Sequence, residues 1–186
     1  MDIVYGTPEQ VAVVQRAKAL WSLVSHDPRF AFQARTVSVA EEQDNTSELV
    51  ISLCRLQGYA SCHFVPGGNA AALVAEYEAA GLQPVVWNQN WGGEGAIAAS
   101  REFLSGYQPP AGLTLKTVTV DTPDDTIRAI CEASVRCGVM PPPGSAMRGH
   151  GPRGVMLYAE DDRGAVVGVG GGFMAYHPDS RRGQEA

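Results

Sequence analysis

Long apolar runs are missing from this chain: nowhere in its 186 residues do about 20 apolar side chains follow one another, the length a helix needs to cross a bilayer. The opening Met1-Asp2-Ile3 has neither a basic n-region nor an apolar h-region. No secretory signal is read from it, and the cytoplasm is the expected compartment. Cysteine is sparse. Cys54, Cys62, Cys131 and Cys137 include no pair at zinc-knuckle spacing and are too few for a disulfide scaffold, so they are read as small reduced side chains and no metal is expected. Charged residues make up only 18% and leave a net charge of −6. That acidic surplus argues against a general affinity for nucleic-acid backbones. What is present is apolar: 45% of the residues are hydrophobic, enough for a real core in a chain of this length.

The order of elements is readable from caps and periodicity. Thr7-Pro8-Glu9-Gln10 is a helix start, with an N-cap, a first-turn proline and Gln at the capping-box position; the helix is predicted to run to about His26. Phe30 to Val39 is predicted to hold a strand. Leu49 to Leu56 and Tyr59 to Val65 are predicted to pair as antiparallel strands about Gln57-Gly58, which places Cys54 and Cys62 on opposite faces. Asn69 is read as an N-cap, followed by an alanine-rich helix from Ala70 to Ala80 that Gly81 stops. A short strand is expected over Pro84–Asn88 and a helix over Glu94–Leu104. Residues 107–112, rich in proline and glycine, form the best linker.

Beyond the linker the pattern sharpens. Leu113 to Val120 alternates with period two and is rich in β-branched residues, so it is a strand. Asp121-Thr122-Pro123-Asp124-Asp125 opens a helix with acids in the first turn, where they favour the dipole; Gly138 ends it. A long irregular connection with Pro141-Pro142-Pro143 reaches Gly154. Val155–Ala159 and Ala165–Val169 are strands about Asp161-Asp162-Arg163-Gly164, the second continuing through Gly170-Gly171-Gly172 to Tyr176. The fold class expected is α+β: a mixed or antiparallel sheet with flanking helices over 113–186, preceded by an α/β module over 1–106.

The stretches "TVDTPDDTIRAICEASV" and "VMLYAEDDRGAVVGVGGGFMAYHPDS", with the extended loop between them, resemble the first half of the fold of the acetyl-CoA-dependent N-acetyltransferases (the GNAT superfamily). The likeness covers about 70 residues, 113–180. It implies a strand, a helix, an acceptor-walling loop and a hairpin, and an enzyme that moves an acetyl group from acetyl-CoA to an amine acceptor. The family's R/Q-x-x-G-x-G/A, which holds the CoA pyrophosphate at a helix N-terminus, does not occur after residue 177. Arg181-Arg182-Gly183-Gln184 does not reproduce it. The chain is therefore read as a fragment that stops before that motif, with acetyl-CoA as co-substrate of the full-length protein and no cofactor-binding residue of its own. Ala75 to Leu82 resembles the late helix of the same fold and suggests a degenerate first repeat within 1–106.

On that likeness the residues left to this chain are acceptor-side ones. Met147, Arg148, His150 and Arg153 stand on the glycine-rich loop, where they can close over an acceptor. Tyr176 ends the last strand and is a candidate proton donor. His63 is read as a satisfied sheet histidine. A second reading is a non-catalytic small-molecule-binding or regulatory module that uses Trp87, Asn88 and Trp91, whose indoles frame a run of amides. The last strand, uncharged between Ala165 and Tyr176, is expected to offer an edge for self-association.

Overall fold

The computed structural model describes residues 2–88, 90 and 92–185. Among them are seven helices and two small antiparallel sheets, a mixed α+β architecture. No helix among them is long and apolar enough to cross a membrane.

The predicted first helix forms as α1 (Pro8–Val24), and Thr7 closes the capping box. Its amide has no acceptor within the helix, so it donates to Gln10 Oε1 at 2.9 Å, while Gln10 N donates to Thr7 Oγ1 at 3.3 Å. The strand expected over Phe30–Val39 is instead a tight hairpin, β1 (Phe30–Phe32) and β2 (Val37–Val39). The chain reverses around Ala34, which takes a left-handed φ of 61°.

The predicted strand pair over 49–65 is not formed. Thr46–Gln57 is a helix, α2, and Gly58 is its left-handed C-cap (φ 95°) rather than half of a hairpin turn. Burial decides this. Val50, Leu53 and Gln57 lie on one face and are buried against β2. Gln57 is fully buried, and its amide satisfies the strand it meets: Nε2 donates to Val37 O at 2.6 Å and Oε1 accepts from Val37 N at 3.1 Å. A side chain thus pairs with β2 where a neighbouring strand would. Cys54 then sits on a helix and Cys62 in an extended segment bridged to Val39, so the opposite-face geometry does not apply.

The alanine-rich helix, α3 (Gly67–Ala79), starts two residues before Asn69, and α4 (Glu94–Gly106) follows; neither buries a residue. The strand expected over Pro84–Asn88 is absent. Val85 and Trp87 are 73% and 79% exposed, and a strand without a partner has nothing to satisfy its backbone.

The C-terminal pattern forms as read, with shifted ends. β3 (Leu113–Thr117) stops early because Thr119 N turns to Thr122 Oγ1 at 2.8 Å. α5 (Asp124–Arg136) begins after Pro123, which takes the N-cap position itself, with Asp124 and Asp125 in the first turn as read, and its stripe of Ile127, Ile130, Cys131 and Ser134 is buried. The long connection is not irregular throughout, since it holds one helical turn, α6 (Gly144–Met147). β4 (Gly154–Asp161) and β5 (Val166–Phe173) make the predicted hairpin, but β5 stops at Phe173, so Tyr176 does not end that strand and lies beyond it in an isolated bridge to Ala31. Its turn is built by Asp161 Oδ1, which accepts from Arg163 N and Ala165 N, and by Gly164 at φ 78°. The sheet order is β3-β4-β5, so β5 is an edge. A last turn, α7 (Arg181–Gln184), is capped by Ser180.

Two apolar clusters result. One gathers Ala17, Phe30, Phe32, Val37, Val39, Val50 and Leu53; the other gathers Val118, Ile127, Ile130, Met156, Tyr158 and Val166. Neighbouring residues of α6 divide between them: Ala146 enters the first and Met147 the second. The extended N-terminus is tied to the same turn, since Gly144 N donates to Ile3 O at 2.8 Å and Ser145 N to Asp2 Oδ1 at 2.8 Å. Past β5 the chain reaches the first hairpin, where Phe32 N donates to Ala175 O at 2.9 Å and Ala31 bridges Tyr176.

Candidate functional site

These ties bring α1, β1, the α6 loop and residues 174–178 around one cavity of about 490 Å³, a volume within the range of small-molecule sites. α1 contributes Lys18, Trp21 and Ser25, which share a face because they stand three and four residues apart. Trp21 stacks on Phe32 with ring centroids 5.2 Å apart and planes 11° from parallel. Pro143, Pro152 and Met174 continue the apolar wall, and His150, Tyr176 and His177 bring polar atoms to it. Asp179 N donates to His177 Nδ1 at 3.1 Å, and Asp179 Oδ2 lies 3.8 Å from the same nitrogen.

A second cavity, of about 440 Å³, adjoins the first and shares Ser145 and His150 with it. Asp2, Asp124 and Arg148 are among its lining residues. Burial works to raise the Asp2 carboxyl, but hydrogen bonds from Ser145 and the Lys18 ammonium outweigh it and hold that carboxyl below its ordinary range. Lys18 Nζ lies 3.1 Å from Asp2 Oδ2.

Behind Tyr176 runs a chain of hydrogen bonds. The Tyr176 hydroxyl lies 2.9 Å from His63 Nδ1, His63 Nε2 lies 3.2 Å from Ser61 Oγ, and Ser61 Oγ lies 2.8 Å from Ser38 Oγ. His63 is 5% exposed, and burial pushes its pKa down to about 4. Burial also pushes the Tyr176 phenol up to about 12, against the opposing Arg182 charge. At neutral pH both groups are uncharged, so Tyr176 keeps its proton beside the cavity. His63 has its partners, as expected, although it lies on an extended bridge beside β2 and not in a 49–65 hairpin.

The predicted residues are brought together only in part. His150 and Tyr176 line the first cavity. Arg148 lies at the second, its guanidinium committed to Thr122 O (3.0 and 2.7 Å) and Asp124 Oδ1 (2.6 Å). Met147 is buried in the second core. Arg153 is exposed and lines neither cavity; its carbonyl accepts from Met174 N. Trp87 and Asn88 are exposed and also line neither cavity, and Trp91 lies outside the described residues. Sequence reasoning missed Lys18, Trp21, Phe32 and His177. The spacing of Lys18, Trp21 and Ser25 was a usable signal, but Trp21 reads equally as an ordinary core position of an amphipathic helix.

The acetyl-CoA implied by the resemblance requires free backbone amides for its pyrophosphate. The described residues after β5 do not fit it. Gly183 N donates to Ser180 Oγ and Gln184 N to Ser180 O. A Cβ on Gly183 would stand 2.0 Å from His177 O, so backbone already fills that space. The Arg182 guanidinium lies 4.1 Å over the Phe64 ring. Among the described residues no group of three or more His, Cys, Asp or Glu side chains is placed to hold a metal ion. No family model matches the chain, and neither does any curated protein or solved structure.

Proposed function

We propose that the chain supplies the acceptor-binding part of an N-acyltransferase, an enzyme moving an acetyl group from acetyl-CoA to a small amine in the cytoplasm. One observation carries the reading. The order β3, α5, loop, β4, β5 folds as a single antiparallel sheet with α5 against β5, and the loop turns back to put His150 on the rim of a cavity that Tyr176 also lines. The chain's own residues bind and orient the acceptor. Trp21 and Phe32 give it an apolar wall, and Tyr176 holds a proton at its hydroxyl, supported from behind by His63. Positioning of this kind is a large part of what such an enzyme contributes. The acyl donor's pyrophosphate is left to residues outside those described.

That last point also favours a second reading, a module that binds a small molecule without catalysis, because the amides of α7 are already used. Product analysis by mass spectrometry separates the two. A panel of primary amines is incubated with acetyl-CoA and either the 186-residue chain or a chain continued through an R/Q-x-x-G-x-G/A segment after Ala186. The acyltransferase reading expects N-acetyl product from the longer chain alone. No product from either leaves the binding module.

A further inference from the structure

The two cavities differ in the charge they present, and the difference specifies a ligand. Among the described residues lining the larger one there is no carboxylate; its polar side chains are Lys18, His150, Tyr176, His177 and two serines. Lys18 uses one of its three ammonium donors on Asp2, and His177, whose Nδ1 accepts from Asp179 N, has Nε2 left for a ligand. An ammonium alone finds no counter-charge there, whereas a carboxylate finds donors. The smaller cavity does hold carboxylates, Asp2 and Asp124, beside the Arg148 guanidinium. Asp2 Oδ2 already accepts from Ser145 Oγ and Lys18, but Asp124 shares only Oδ1, with Arg148. Ser145 and His150 belong to both linings, so the two spaces lie on either side of the same pair of residues.

We propose that the two adjoining cavities together form a binding site for an aromatic amino acid, its ring against the Trp21–Phe32 stack, its carboxylate at Lys18 and His177, and its amino group directed past Ser145 and His150 toward Asp124. The assignment rests on the acceptor reading given above for its biological sense, but not for its geometry. It narrows a generic amine to an amine that carries its own carboxylate.

Titration calorimetry with three probes tests it without any acyl donor. L-Phenylalanine is expected to bind with a Kd of about millimolar, as suits a ligand of this size. Phenylacetate, which lacks the amine, is expected to bind at least tenfold more weakly, and phenethylamine, which lacks the carboxylate, more weakly still. Lys18 is largely exposed, so Lys18→Gln leaves the fold intact and is expected to cost phenylalanine about tenfold. Asp124→Asn is expected to weaken phenylalanine and leave phenylacetate unchanged. Phenethylamine binding as tightly as phenylalanine, no binding of any probe, or indifference to Lys18→Gln would overturn the proposal. Binding of phenylalanine without acetyl transfer in the longer chain would remove the enzyme reading and leave this one standing.

Discussion

Acid should loosen this fold through His63, and the size of the effect follows from its surroundings. The imidazole is 5% exposed and hydrogen-bonded on both sides, to Tyr176 and Ser61. Its pKa is about 4 in the folded chain against 6.5 for the free side chain. A base whose folded pKa is depressed binds its proton more readily when unfolded. Its contribution is therefore fully present above pH 6.5, is lost as pH falls from there toward 4, and changes no further below. Each pH unit in that window is worth about 1.4 kcal/mol, so about 3 kcal/mol goes in all and about 2 kcal/mol by pH 5. That is a large share of a typical stability of roughly 5–15 kcal/mol. Asp2 and Asp27, whose carboxyls are held below their ordinary range, add losses at still lower pH. The assay is urea unfolding of the wild type and of His63→Asn, which cannot titrate but can still meet Tyr176. The stability difference between them should shrink by about 2 kcal/mol from pH 7.5 to pH 5. Curves that stay parallel across that window would refute the burial of a neutral imidazole.

Other consequences are as direct. Gln57→Met keeps the volume but strands the Val37 amide and carbonyl, and should cost about 2–4 kcal/mol in urea unfolding; a cost near zero would mean water reaches β2. Thr7→Ala removes one half of the capping box and should cost about 1 kcal/mol, read from the same transitions. The edge strand β5 carries no charge from Val166 to Phe173, so the chain should self-associate at high concentration. Val167, 52% exposed, is the place to stop it: sedimentation of Val167→Lys should return a monomer.

Much of the fold was legible because the signals were local. Thr7-Pro8 and Gln10 announced α1, the acids after Pro123 announced α5, and Asp161 with Gly164 announced the β4–β5 turn. The 49–57 segment misled because Val50 and Ile51 carry strand propensity and Gly58 suits a turn as well as a helix C-cap. What settles that segment is tertiary: a Gln57 amide that pairs with β2 is invisible in sequence. The site was harder for the same reason. Tyr176 and His150 were visible as polar residues on a strand end and a loop. Nothing local links them to Lys18 and Trp21, which the fold delivers from the opposite end of the chain. The His63–Tyr176 bond joins residues 113 positions apart and gave no local mark either.

The central claim is that ligand enters between Trp21, His150 and Tyr176 rather than at the exposed Trp87. Chemical-shift mapping of the ¹⁵N-labelled chain during titration with L-phenylalanine tests it most directly. The account predicts shifts that saturate at the Trp21 indole N–H and at the amides of Gly151, Ala175 and Tyr176, with Trp87 and Asn88 unmoved. Saturating shifts at Trp87 and Asn88, with Trp21 and Tyr176 unmoved, would contradict it.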